Sequence, residues 1–203
     1  MIQVDALSKQ FDDFIVQAHR LKQLYAPQIT LLVGLETDYI TNTDLDGLEN
    51  LLQRHGGRTE YIVGSIHHVN EISFDDDVPT YRKALEGFGF KKEDDRLEAF
   101  MLAYFDAQYE LIQHFKREVI AHFDPCRLYN PNLRFADFPV VQKMIERNVC
   151  YAVEYGALFE INTAALRKGR QSPYPGEDVV EVCYIILTQD SDPAYVNRSF
   201  SFR

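Results

Sequence analysis

The chain has 203 residues, with 21 basic against 31 acidic side chains and a formal net charge of −10. That length supports one sizeable hydrophobic core, and the acidity, with no basic run, argues against a sequence-independent grip on nucleic-acid phosphates. Hydrophobic residues at 46% and charged residues at 26% are ordinary globular usage, which excludes disordered, collagen-like and disulfide-stapled classes.

The first 25 residues carry Val4, Leu7, Phe11, Phe14, Ile15, Ala18, Leu21 and Leu24 at the three-or-four spacing of an amphipathic helix, which Pro27 ends. Ile29 to Leu35 is then a continuous apolar run of the kind expected for a strand buried on both faces. A second helix follows, with Thr43 or Asp44 as cap, Leu45, Leu48, Leu51 and Leu52 on one face, and Gly56-Gly57 as its stop. Tyr61 to Ile66 reads as the second strand. Helices are predicted over 80–88 and 93–116, the longer one marked by Leu97, Phe100, Met101, Tyr104, Phe105, Leu111, Ile112 and Phe115. Val119 to Ala121 is a brief third strand. Asp137 to Tyr155 is a helix with Pro139 in its first turn and Gly156 beyond its end. Leu158–Ile161 and Tyr184–Leu187 read as the fourth and fifth strands, with a helical turn over 177–182 between them. Strands alternating with helices imply a parallel sheet, and no linker divides residues 1–203.

Three cysteines, Cys126, Cys150 and Cys183, are scattered without a Cys-x-x-Cys pair, which fits buried thiols in a reducing compartment. The chain shows neither a basic-then-apolar leader nor an apolar run of membrane-spanning length. A cytoplasmic protein with neither membrane nor nucleic-acid partners is expected.

Candidate ligands stand at the ends of the buried runs. Glu36 follows the first, His67 the second and His122 the third. In a parallel α/β barrel the carboxyl ends of the strands share one face, where active sites are built. One carboxylate and two neutral imidazoles suit zinc, iron or manganese and disfavour calcium. A single histidine after a strand is more often a hydrogen-bonded structural residue, so the weight lies in three coinciding at equivalent positions. His19 and His114 on helices, and His55 in a last helical turn, read as surface or core residues.

Four segments carry a family resemblance: Gly34-Leu35-Glu36, Gly64-Ser65-Ile66-His67-His68-Val69, Ala121-His122-Phe123-Asp124, and Glu160-Ile161-Asn162-Thr163-Ala164-Ala165-Leu166-Arg167-Lys168. They closely resemble, in order, motifs of the fungal-type histidinol-phosphatases of the polymerase-and-histidinol-phosphatase (PHP) superfamily. Tyr104 to Glu110 and Pro173-Tyr174-Pro175 extend the likeness, which runs from about Leu32 to Pro175. It implies an α/β fold of the distorted (β/α)7 PHP-barrel type, with parallel strands and outer helices. The implied activity is hydrolysis of L-histidinol phosphate to L-histidinol and phosphate, in histidine biosynthesis, at a cluster of divalent metal ions. By the same resemblance Glu36, His67 and His122 match metal-ligand positions, and Arg167 stands where a cation meets the substrate phosphate. His68 is implied as second shell or pocket wall. Asp124 could steady an imidazole or merely begin a loop.

The family's first-strand His-x-His pair has no counterpart here. Its Leu-Ser-Asp-Asp-Ser-His segment is replaced by Leu187-Thr188-Gln189-Asp190-Ser191-Asp192, which leaves Asp190 as a further ligand candidate. An incomplete barrel is therefore expected: a single PHP-like domain truncated at its N-terminus, with a divergent tail over 193–203. Its open edge would invite association with another copy. The reading from a different class is a non-catalytic metal-binding or interaction remnant of that barrel.

Overall fold

The computed structural model describes residues 4–116, 118–167, 169, 171–189 and 200–202. Helix α1 (Val4–Tyr25) forms where its apolar stripe predicts, and Ile15 is its fully buried anchor. Strand β1 (Gly34–Asp38) begins later than the apolar run Ile29–Leu35 suggests, and Ile29 and Leu32 are exposed. Pairing decides this boundary, because the parallel ladder to strand β2 (Tyr61–Ser65) starts at Gly34 opposite Tyr61 and ends at Asp38 opposite Ser65. Gly34 is needed there, since a Cβ would stand 2.5 Å from the Tyr61 ring. Helix α2 (Asn42–His55) lies between the two strands and is capped by Thr41 rather than by Thr43 or Asp44. The Thr41 N–H and hydroxyl both donate to the Asp44 carboxylate, at 2.8 and 2.9 Å.

After β2 the chain makes a two-stranded antiparallel hairpin, β3 (His68–Val69) and β4 (Ile72–Ser73), turning through Asn70 and Glu71 at φ 50° and 63°. Elements of two residues leave no periodic trace in a sequence. Helix α3 (Val78–Glu86) starts two residues before its predicted position because Asp77 caps it, accepting from the Thr80 N–H at 2.8 Å. The long α4 (Glu93–Phe115) packs against α5 (Pro139–Glu154).

Strands β5 (Val119–Ile120), β6 (Leu158–Ile161) and β7 (Phe200–Phe202) complete an all-parallel sheet of order β1-β2-β5-β6-β7. Among the described residues β1 and β7 are its edges. The fifth strand is thus not Tyr184–Leu187. That segment belongs to α7 (Glu177–Gln189), with Val179 and Cys183 buried and Tyr184 and Ile185 exposed. An apolar run reads as strand or helix until length arbitrates, and thirteen residues opened by Glu177 and Asp178 favour the helix. A four-residue helix α6 (Ala164–Arg167) follows β6.

The core beneath the carboxyl ends of the strands is aromatic. Phe74, Phe100, Tyr104, Phe105, Phe123 and Phe159 are each at most 1% exposed. Phe74 meets the Phe100 ring edge-on at 5.5 Å, and Phe123 bridges Phe105 and Phe159 at 5.8 Å each. No helix of the described residues is long and apolar enough to cross a membrane. Cys126 and Cys183 are buried and Cys150 is exposed.

Candidate metal centre

Strand β1 places Glu36 and Asp38 two residues apart, so both side chains leave the same face of the sheet. Glu36 is the third residue of its strand, opposite Val63, and not the residue after it. His67 lies two residues beyond β2 and His122 two beyond β5, and those strands are neighbours in register. The consequence is convergence: one ligand atom from each of Glu36, His67 and His122 lies within 4.8 Å of the others. The two imidazoles face one another with Nε2 atoms 3.0 Å apart, and Glu36 Oε1 is 3.7 Å from His122 Nε2.

The donors fit a divalent cation. With metal–nitrogen bonds of about 2.0–2.1 Å, two ligand nitrogens stand about 3.3 Å apart in a tetrahedral site and about 2.9 Å apart at a right angle. The observed 3.0 Å falls between these. The Glu36 carboxylate is held below its ordinary pKa, chiefly by its bond to His122, with burial opposing and the His122 charge assisting. The group is therefore charged and ready to ligate at neutral pH.

Two further carboxylates fix this geometry. Asp38 Oδ1 accepts the His67 backbone N–H at 2.9 Å while its Oδ2 takes His68 Nδ1 at 2.6 Å. Glu160, 5% exposed on β6, accepts the His122 backbone N–H at 3.0 Å and the Asn162 amide at 3.3 Å. His68 is accordingly beside the centre, tied to Asp38. Neither Asp38 nor Glu160 is singled out by the sequence reading, although Asp38 has a signal: it repeats Glu36 at the two-residue period of a strand.

Asp124 does not steady an imidazole among the described contacts. Fully buried, it accepts through Oδ2 from the Gly176 N–H at 3.0 Å and from Arg127 at 2.5 Å. Arg127 in turn forks onto both oxygens of Asp178, at 2.8 and 2.6 Å. The buried guanidinium is the cause, because it must be paired, and it draws Asp124 toward α7. Arg167 ends α6 and is exposed, one turn from Ala164, which lines a cavity of about 110 Å³ shared with His122. Asp190 lies outside the described residues. The remaining histidines keep structural roles: His19 meets the Arg58 carbonyl at 2.8 Å, His55 ties α2 to Asp12 at 2.8 Å, and His114 packs on Phe115.

Residues 5–164 match the PHP domain. The chain belongs to the PHP-domain family. Within it, this PHP chain is 39% identical over 184 residues to a "Probable histidinol-phosphatase" of Schizosaccharomyces pombe, covering 89% of this chain and 58% of the relative. It is 28% identical over 200 residues to a "Histidinol-phosphatase" of Saccharomyces cerevisiae, covering 86% and 58% respectively. The chain thus spans under two thirds of the length of both relatives. A crystal structure of a histidinol-phosphatase candidate from Listeria monocytogenes superposes with a TM-score of 0.76 at 19% identity, over 96% of this chain and 70% of that one. That likeness shows the PHP-type α/β fold.

Proposed function

We propose that this PHP-domain chain is a metal-dependent phosphomonoesterase of the histidinol-phosphatase type, acting on L-histidinol phosphate in the cytoplasm. The observation that carries the reading is the convergence of Glu36, His67 and His122 from three separate segments onto one point. The relatives' names supply the substrate. The open five-stranded sheet is, on this reading, a portion of a distorted β/α barrel.

Glu36, His67 and His122 would hold the ion, with manganese, zinc or iron suited to one carboxylate and two imidazoles. Bound there, a divalent ion supplies a lowered pKa to water and neutralises charge on the phosphoryl group. The protein's own part is orientation. Asp38 locks His67 and His68 through one carboxylate, and Glu160 anchors the residue bearing the second imidazole. Arg167, exposed at the end of α6, would offer two parallel donors to phosphate oxygens and stays ionised at any working pH. No protein nucleophile is required, so the active-site cysteine or serine of other phosphatase classes has no role.

The test is phosphate release from L-histidinol phosphate with added manganese, run beside Glu36→Ala and His67→Ala. Metal-dependent turnover lost in both variants supports the phosphatase. A folded, manganese-loaded protein that releases no phosphate overturns it and leaves a non-catalytic metal-binding domain.

A further inference from the structure

Beside His122, on the side away from Glu36 in sequence, lies the cavity of about 110 Å³, walled by Asp75, Pro125, Leu128, Asn162 and Tyr174. At roughly 30 Å³ per water molecule it has room for three or four waters, which suits one small head group and not a whole ester. Part of its polar lining is already committed. The Asn162 side chain donates to Glu160 at 3.3 Å and accepts from the Ala164 N–H at 2.9 Å. Asp75 is different: among the described residues its carboxylate enters neither a hydrogen bond nor an ion pair.

The backbone that carries it is nevertheless well fixed. Its neighbour Phe74 is fully buried, wedged edge-on against Phe100 and Tyr104, and donates its N–H to the His67 carbonyl at 3.1 Å. The Asp75 carbonyl accepts from the Tyr129 hydroxyl at 3.3 Å. Asp75 is thus held in register with one segment of the candidate centre, at His67, and lines a cavity that the other, His122, also lines. Asp76 and Asp77 follow it in sequence and add negative potential on that side. Their charges, after burial, push the Tyr129 phenol above its ordinary pKa.

We infer that this cavity is a subsite for a cationic group on the alcohol portion of the phosphomonoester, an ammonium or imidazolium, with Asp75 as the residue that selects it. The inference rests on the phosphatase reading above. A site with a metal-bearing pole at His122 and a carboxylate pole at Asp75 matches an ester whose phosphate and cationic nitrogen are a few bonds apart. A half-buried, unpaired carboxylate gains most from such a partner, because water screens it only in part.

The experiment compares Asp75→Asn, which keeps shape and removes charge, with the unaltered manganese-loaded protein. Three measurements are made: kcat/KM for L-histidinol phosphate, kcat/KM for p-nitrophenyl phosphate, whose alcohol portion carries no cation, and calorimetric affinity for L-histidinol. The expected result is a loss of about tenfold or more for histidinol phosphate and a parallel loss of histidinol affinity. Turnover of nitrophenyl phosphate should stay within about twofold, and Asp75→Glu should recover part of the loss. Equal losses for both esters, or none for either, overturn the subsite and leave the phosphatase standing. If the unaltered protein hydrolyses neither ester, the phosphatase reading fails separately. Histidinol binding then decides alone: affinity that falls in Asp75→Asn upholds the cation site, and no binding by the unaltered protein overturns it.

Discussion

Asn148→Ala should be among the most damaging single substitutions outside the candidate metal centre. Asn148 is fully buried on α5 and donates through Nδ2 to the Phe105 carbonyl at 2.7 Å and to Gln108 Oε1 at 3.1 Å. Gln108, 3% exposed, passes the connection on, donating to the Phe123 carbonyl at 3.1 Å beside the Tyr104 hydroxyl, also at 3.1 Å. Truncation strands the Gln108 carbonyl oxygen without water, at about 1–3 kcal/mol. The missing carboxamide leaves a small void worth about 1 kcal/mol more. The Phe105 carbonyl lies within α4 and adds little, and the Arg147 guanidinium, which also donates to Asn148 at 3.0 Å, is partly exposed and keeps its bond to Asp106. A total of about 2–4 kcal/mol is expected, a large fraction of a typical domain's 5–15 kcal/mol. Urea unfolding reads it as a lower midpoint at unchanged slope. The double variant with Gln108→Leu should be less damaging than the sum of the two singles by about 1 kcal/mol, since removing both amides leaves no orphan. A midpoint shift worth under about 1 kcal/mol, or strict additivity, would refute the picture of a closed polar network joining α4, α5 and the segment after His122.

Asp38→Asn should weaken manganese affinity about tenfold by titration calorimetry without unfolding the chain, because it loosens His67 and His68 together; an unchanged affinity sinks that role. Arg127→Leu leaves Asp124 buried beside no cation and should cost about 3–5 kcal/mol in urea, whereas Arg127→Leu with Asp124→Leu should recover much of it. Asp178 is held below its ordinary pKa: burial pushes up, but the Arg127 bond and charge win. A depressed carboxyl contributes stability that is present above its unfolded pKa and lost as pH falls through the folded value. The urea midpoint of the unaltered protein should therefore drop on acidification below about pH 4 more than that of Asp178→Asn, and parallel profiles would contradict this. Burial pushes the Cys183 thiol up to about 12, so a thiol reagent should label Cys150 in the native protein and reach Cys126 and Cys183 only in urea; native labelling of either buried thiol would be the contrary result.

Much of the candidate site was legible before any coordinates. A carboxylate or imidazole following a buried apolar run is local information, and Glu36, His67 and His122 stand out by it. The supporting groups were not legible in the same way. Glu160 is a charged residue inside a buried strand, and its reason for being there, the His122 backbone N–H, is 38 residues away. Asp124 shows the converse failure, since proximity to His122 in sequence suggested a partner that Arg127 and Gly176 supply instead.

The amino-acid order alone settled the helices with strong stripes and the alternation that makes the sheet parallel, and it named the candidate ligands, because side-chain period and residue type are local properties. Tertiary contacts decided the rest. Register against Tyr61 set where β1 begins, burial of one face against α5, with Tyr184 and Ile185 left exposed, made Tyr184–Leu187 helical, and a partner strand recruited Phe200–Phe202 to the sheet. The same contacts brought Asp75 and His122 to the walls of one cavity. Each of these depends on what lies across the molecule, which periodicity along one segment does not encode.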